Sequence, residues 1–165
     1  RIHKRGVAAA AAAACVICAL VVGGTTRRFV IVDDSMRPAL TPGDWLVAVR
    51  RCRVPKRGDV VIFTHPSRPG LFLIKRVIGL PGERVSAENG QIYVNERVLS
   101  DQWGDGPAGA VSDFSVPMGT VWVLGDNRSG SSVDSRVLDA IPLDDVRWKV
   151  VARYWPPSRA GRVDT

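Results

Sequence analysis

At 165 residues the chain has room for one core of ordinary size and an appendage. With 45% hydrophobic and 24% charged residues, its composition excludes the disordered and fibrous classes. The net charge of +7 does not make it a nucleic-acid binder: residues 1–28 hold five of the 23 basic groups and none of the 16 acids, leaving 18 against 16, or +2, for the rest.

In chain order the first feature is VAAAAAAACVICALVVGG, residues 7–24, which has neither charge nor proline. As a helix it would span roughly 27 Å, just enough for a bilayer's hydrocarbon. A cleaved secretory leader or a buried helix are the competing readings. A leader needs a small-residue cleavage site, and GGTTRRF is a poor one because Arg27 and Arg28 follow at once. The expectation is an uncleaved transmembrane anchor. Arg1, Lys4 and Arg5 before it outnumber Arg27 and Arg28 after it by one, and the expected orientation has a cytoplasmic N-terminus. Cys15 and Cys18 lie inside this segment, where a redox pair has no water access, and Cys52 has no partner. The expected organisation is a basic N-terminus and anchor over residues 1–28 and a β-rich domain over 29–165.

Beyond Arg28, short β-branched and aromatic runs are punctuated by Gly and Pro about every ten residues, which reads as all-β. Strands are expected at 29–32, 45–50, 60–64, 71–78, 84–86, 91–94, 120–124 and 148–155. Asn89-Gly90 marks a hairpin turn between two of them. Residues 100–116 read as a long loop, LDDVRW after Pro142 as one helical turn, and everything from Pro156 onward as a frayed tail.

Three stretches carry chemistry. VDDSMRPALTPGD, residues 32–44, presents Ser35 in a proline-rich turn. A serine hydroxyl is a weak nucleophile until a base takes its proton. Histidine is a poor candidate for that base: His3 precedes the anchor, and His65 sits in the turn-rich FTHPSRPG. One useful histidine among scattered carboxylates does not make a zinc site either. Lysine can replace histidine where burial strips water from its ammonium. Lys75 has that setting in LFLIKRVIGLPGE, sharing a strand face with Leu71, Leu73 and Val77, although a slipped face assignment would turn it to solvent. The third stretch, VLGDNRSGSSVDSR over residues 123–136, is by itself an ordinary solvated loop. Read functionally, it pairs Asp134 with Arg136 and offers a serine hydroxyl to orient the lysine.

Taken together and in this order behind an apolar segment, DSMRPAL, RGDVVIF, IKRVIGLPGE and GDNRSGSSVDSR resemble the boxes of type I signal peptidases, membrane-anchored bacterial serine proteases with a Ser/Lys dyad. The final VARYWPPSRAG resembles the C-terminal strand of actinobacterial and cyanobacterial members. The resemblance implies Ser35 as nucleophile, Lys75 as general base, and Asp126, Asp134 and Arg136 as the groups that hold the last loop together. It implies a substrate pocket formed by Phe29, Ile31, Met36, Leu40, Leu73 and Ile74 that takes small side chains of the Ala-x-Ala type. It further implies antiparallel β-sheets in a coiled, barrel-like arrangement, signal peptides of exported preproteins and the lipid bilayer as partners, no cofactor, no metal, and a single-pass plasma-membrane protein with its protease domain outside the cytoplasm. The last box is one residue longer than usual. Counting back from Asp134, whose pairing with Arg136 anchors the local geometry, makes Ser132 the expected lysine-orienting serine; counting forward from Gly125 gives Ser131 as the alternative. Asp33 is a departure, standing where some relatives have a serine that helps hold the oxyanion and others have glycine. An ionised carboxylate cannot donate there.

Overall fold

The structure of the protein, a computed structural model, describes residues 24–50, 53–131 and 133–163. Residues 7–23 of the expected anchor, the three cysteines and Ser132 lie outside the described residues. Among those that are described, no helix is long and apolar enough to cross a membrane.

Twelve strands are found among the described residues: β1 (Thr26–Val30), β2 (Trp45–Arg50), β3 (Val60–Thr64), β4 (Phe72–Gly79), β5 (Arg84–Glu88), β6 (Gln91–Val94), β7 (Arg97–Val98), β8 (Val111–Ser115), β9 (Thr120–Leu124), β10 (Ile141–Pro142), β11 (Val146–Trp155) and β12 (Gly161–Arg162). One short helix, α1 (Ser135–Leu138), follows β9. The strands form two antiparallel sheets. The larger runs β1-β2-β11-β3-β4-β9-β10, with β12 beside β11, and the smaller runs β7-β6-β5-β8.

The centre of the large sheet is β3, whose VVIFT is buried along nearly its whole length. Because side chains alternate across a strand, Val60 and Ile62 face one core cluster while Val61 and Phe63 face another. The first cluster gathers Ile31, Met36, Leu40, Leu46 and Val150, and the second gathers Val77, Val121, Val123 and Val146. A third, built around Ile78, Val85, Ile92 and Trp122, joins the small sheet to the end of the large one. Gly79 lies at that seam. A Cβ there would stand 2.6 Å from Val85 Cγ2 and 2.9 Å from Trp122 Cβ, so only glycine admits this approach.

The hairpin forms as expected. Asn89 and Gly90 both have positive φ, and Glu88 pairs with Gln91 across a two-residue turn. Four expectations need correction. The first strand begins at Thr26, three residues before its expected start. Residues 111–115 form β8 within the expected long loop, because Val111, Phe114 and Val116 supply the apolar contacts that pair it with β5. The helical turn lies at Ser135–Leu138, where the Asp134 side chain caps its N-terminus; LDDVRW instead makes a tight turn, with Asp145 N–H donating to the Pro142 carbonyl, and then enters β11. The segment after Pro156 is pinned, since Val163 is buried in the first cluster and Arg159 bonds to Asp44.

Candidate active site

The loop between β1 and β2 carries Ser35. Its ends are closed by the Ile31 N–H donating to the Asp44 carbonyl at 2.9 Å and the Gly43 N–H donating to the Ile31 carbonyl at 2.9 Å. Met36 and Leu40, fully buried, draw the middle of the loop onto the first core cluster. Asp44, also buried, receives the Thr41 N–H at 2.9 Å and the guanidinium groups of Arg153 (3.2 Å) and Arg159 (3.1 Å). Arg153 reaches further, to the Ala39 carbonyl at 2.8 Å. Two apolar plugs and one charged clamp therefore fix the turn that presents the serine.

Lys75 lies opposite Val61 in the register of β4 with β3, and it is 2% exposed. Its Nζ stands 2.6 Å from Ser35 Oγ. Burial pushes the Lys75 amine below the usual lysine range; Asp33, Asp134 and Asp126 oppose that shift, and Arg136 adds to it. A lysine held dry beside a hydroxyl is the arrangement a Ser/Lys dyad requires. His65 is engaged elsewhere, its Nδ1 accepting the Ser67 N–H at 3.1 Å.

The loop after β9 docks onto the serine loop through its backbone. The Asn127 N–H donates to the Ser35 carbonyl at 3.0 Å, and Asn127 Nδ2 donates to the Asp34 carbonyl at 3.2 Å. Gly125 makes the approach possible: a Cβ there would lie 2.4 Å from the Ser131 side chain and 2.5 Å from the Ser35 carbonyl oxygen. Asp134 organises the rest, accepting from Ser131 Oγ (2.8 Å), Gly125 N (3.2 Å), Arg136 Nε (2.9 Å) and Arg136 Nη2 (2.8 Å). Burial raises its carboxyl, yet the bonds from Arg136 and Ser131 prevail and hold it below the usual carboxylate range. Arg136 in turn donates to the carbonyls of Arg128 and Ser131, both at 2.7 Å.

Asp126 faces the opposite way, into a fully buried pair with Arg76 at 2.8 and 2.6 Å. Burial raises the Asp126 carboxyl, and the bonds from Arg76 offset part of that rise. Arg76 and Arg128 are further functional supports that sequence reasoning missed. Arg128 is fully buried and paired with Asp101 at 2.7 Å, and Arg76 also donates to the Gly58 carbonyl at 2.8 Å. The signal was present for Arg76, because the apolar setting that singled out Lys75 extends to its neighbour.

Beside Ser35 opens a cavity of about 60 Å³, lined by Val30, Ile31, Val32, Met36 and the β4 residues Phe72, Leu73 and Ile74. Ile31, Met36, Leu73 and Ile74, four of the residues expected in a substrate pocket, line this cavity. Phe29 and Leu40 do not line it: Phe29 packs edge-on against Phe72 and Trp148, and Leu40 is core. Of the two serines considered for the lysine, Ser131 is buried against Gly125, while Ser132 is outside the described residues. Asp33 does not turn away from the serine. Its Oδ1 accepts both the Ser35 N–H at 3.0 Å and the Ser35 hydroxyl at 2.8 Å.

The family described as "Signal peptidase, peptidase S26" matches residues 4–155. A probable signal peptidase I-2 of Synechocystis sp. is 35% identical over 140 residues, which cover 79% of this chain and 64% of that protein. Signal peptidase I of Leptolyngbya laminosa is 34% identical over 149 residues, 81% of this chain and 70% of that one. This chain therefore spans just under two thirds of the first relative's length and slightly more of the second's. A crystal structure of a signal peptidase I from Enterococcus faecalis V583 aligns with a TM-score of 0.48 at 30% identity, covering 58% of this chain and 96% of that one.

Proposed function

The chain belongs to the signal peptidase family, peptidase S26, and on that premise we propose that it is a serine endopeptidase that removes signal peptides from exported preproteins. The observation that carries the mechanism is the 2.6 Å contact between a buried Lys75 amine and the Ser35 hydroxyl. With Lys75 unprotonated, Nζ takes the hydroxyl proton as Ser35 Oγ bonds to the scissile carbonyl carbon. The ammonium so formed returns the proton to the leaving amine, the C–N bond breaks, and Lys75 then activates the water that hydrolyses the acyl-enzyme.

Of the two candidate serines Ser131 is the one among the described residues, and its surroundings fit a lysine-orienting hydroxyl. It lies against Gly125 beside the Ser35 carbonyl, and because its own proton goes to Asp134, its lone pairs are left for an N–H donor. Asp126, Asp134 and Arg136 keep that loop in place. At about 60 Å³, with Asp33 and Ser35 among its lining residues, the cavity suits an alanine-sized side chain. Pairing of β4 with β9 begins at Arg76, so among the described residues 72–75 have no strand on that edge, and an extended peptide can lie along it. The segment ahead of β1 acts as anchor, placing the β-rich domain on the outer face of a bacterial plasma membrane, with the actinobacterial likeness of VARYWPPSRAG as the narrower reading of the source.

The test uses the full chain in detergent with a preprotein bearing an Ala-x-Ala site. Cleavage after the second alanine, abolished in both Ser35→Ala and Lys75→Ala, is expected; wild-type cleavage surviving in Lys75→Ala rules the dyad out. One observation favours a second reading, a peptide-binding relative that has lost catalysis: Asp33 occupies the Ser35 N–H. Peptide binding by a wild-type chain that cuts nothing would establish it.

A further inference from the structure

Acyl transfer needs two things of Ser35. Its hydroxyl hydrogen must point at an unprotonated Lys75 Nζ, and its backbone N–H must be free to receive the negative oxygen of the tetrahedral intermediate. In this structure a single atom, Asp33 Oδ1, takes both. The N–H reaches it at 3.0 Å and the hydroxyl at 2.8 Å, while Lys75 donates to the same hydroxyl oxygen at 2.6 Å. A hydroxyl hydrogen directed at the Asp33 carboxylate gives the order Lys75 to Ser35 to Asp33, the reverse of the one that activates a nucleophile. A carboxylate at this point also repels the oxyanion that must form there.

We propose that Asp33 is a carboxylate latch that holds Ser35 in a non-productive state, and that substrate displaces it before acyl transfer begins. The inference rests on the dyad assigned above. Asp33 is exposed, so its side chain can swing into solvent without disturbing the core. Asp34 does not compete for the site, being paired with Arg37 at 2.5 Å. Once Oδ1 withdraws, the scissile carbonyl oxygen takes the Ser35 N–H. The hydroxyl proton turns to Nζ, passes to it as Oγ bonds to the carbonyl carbon, and leaves on the amine when the C–N bond breaks. Latch and dyad are also linked electrostatically. Of the charged groups that face Lys75, Asp33, Asp134 and Asp126 favour the ammonium and Arg136 opposes it, so removing the Asp33 charge increases the share of free amine at a given pH.

The plain alternative is that Asp33 merely forms an Asx turn that steadies the loop. Two variants separate these roles, since Asp33→Asn keeps a turn-forming oxygen without the charge and Asp33→Ala removes both. The measurement is kcat/KM against pH for the full chain in detergent, on an Ala-x-Ala preprotein, with Ser35→Ala and Lys75→Ala alongside and thermal unfolding as a check on folding. The latch predicts about a tenfold rise in Asp33→Ala, part of the hundredfold or more that one oxyanion donor is worth. It predicts a smaller rise in Asp33→Asn, and an acid limb moved to lower pH in both. Activity at or below wild type in both, with the limb unmoved and the Ser35 and Lys75 variants silent, overturns the latch and leaves the dyad standing. Wild-type cleavage by Lys75→Ala overturns the dyad, and the latch with it.

Discussion

Lys75 is a stability cost kept for chemistry. A buried amine whose pKa is pushed down destabilises the fold wherever the unfolded chain would carry the proton, which means below lysine's ordinary value, and the cost is complete once the pH is below the folded value. Lys75→Met fills the same space without that charge. It is expected to raise stability by about 0.5–2 kcal/mol near neutral pH, with the gain fading as the pH rises toward the ordinary lysine pKa, while cleavage is lost. Chemical denaturation at two pH values reads this directly, and a variant no more stable than wild type would mean the amine is not desolvated. The same depressed pKa sets the rate profile. Cleavage rises with pH through a value below that of free lysine, and Lys75→Arg is inactive throughout the accessible range because arginine does not give up its proton there.

The loop after β9 and the β1–β2 loop behave as one unit, because Asn127 holds the Ser35 and Asp34 carbonyls through its backbone and side-chain N–H groups. Gly125 is the point of closest approach, so Gly125→Ala drives a methyl into the Ser131 side chain and the Ser35 carbonyl. Overpacking of this kind costs about 1–3 kcal/mol. The expected result is a larger loss in kcat than in KM, since the displaced atoms are those of the dyad and not of the cavity. The Arg76–Asp126 pair behaves differently. Removing one member, as in Asp126→Ala, takes the carboxylate from a buried guanidinium and is expected to destabilise by about 3–5 kcal/mol, measurable as a shift in urea midpoint. On the opposite side, Arg159→Gln releases one arm of the Asp44 clamp while Arg153 keeps the other. A modest fall in kcat with little change in melting temperature is expected, because the pair is part-exposed and worth little to the fold.

The molecule as a whole is two antiparallel sheets fused along one seam, and the site lies in the larger. Gly79 marks the seam, where Val85 of the small sheet and Trp122 of β9 come within van der Waals limits of an absent Cβ. Gly79→Ala is therefore expected to cost about 1–3 kcal/mol while leaving the pH dependence of cleavage intact, because the strain falls far along β4 from Lys75. A changed pH profile in that variant would show that the small sheet is coupled to the dyad.

The chain itself determined most of the longer strands, the Asn89-Gly90 hairpin, Ser35 in a proline-rich turn, and Lys75 within an apolar run. Each of these follows from local pattern: residue type, alternation, and turn chemistry over a few neighbours. β8 escaped notice because two polar residues interrupt its apolar positions and only its partner β5 makes it a strand. The tail after Pro156 escaped notice because its anchor, Asp44, is more than a hundred residues away in the chain. For the same reason the burial of Arg128 was not legible, and that of Arg76 was signalled only by the apolar run it shares with Lys75. A charged residue becomes structural only when a distant carboxylate meets it in a dry place. Asp33 makes the contrast plainest. Its type could be read at once as out of keeping with an oxyanion site, but its grip on the Ser35 N–H and hydroxyl was decided by the tertiary structure, because hydrogen bonds depend on where the fold aims each atom.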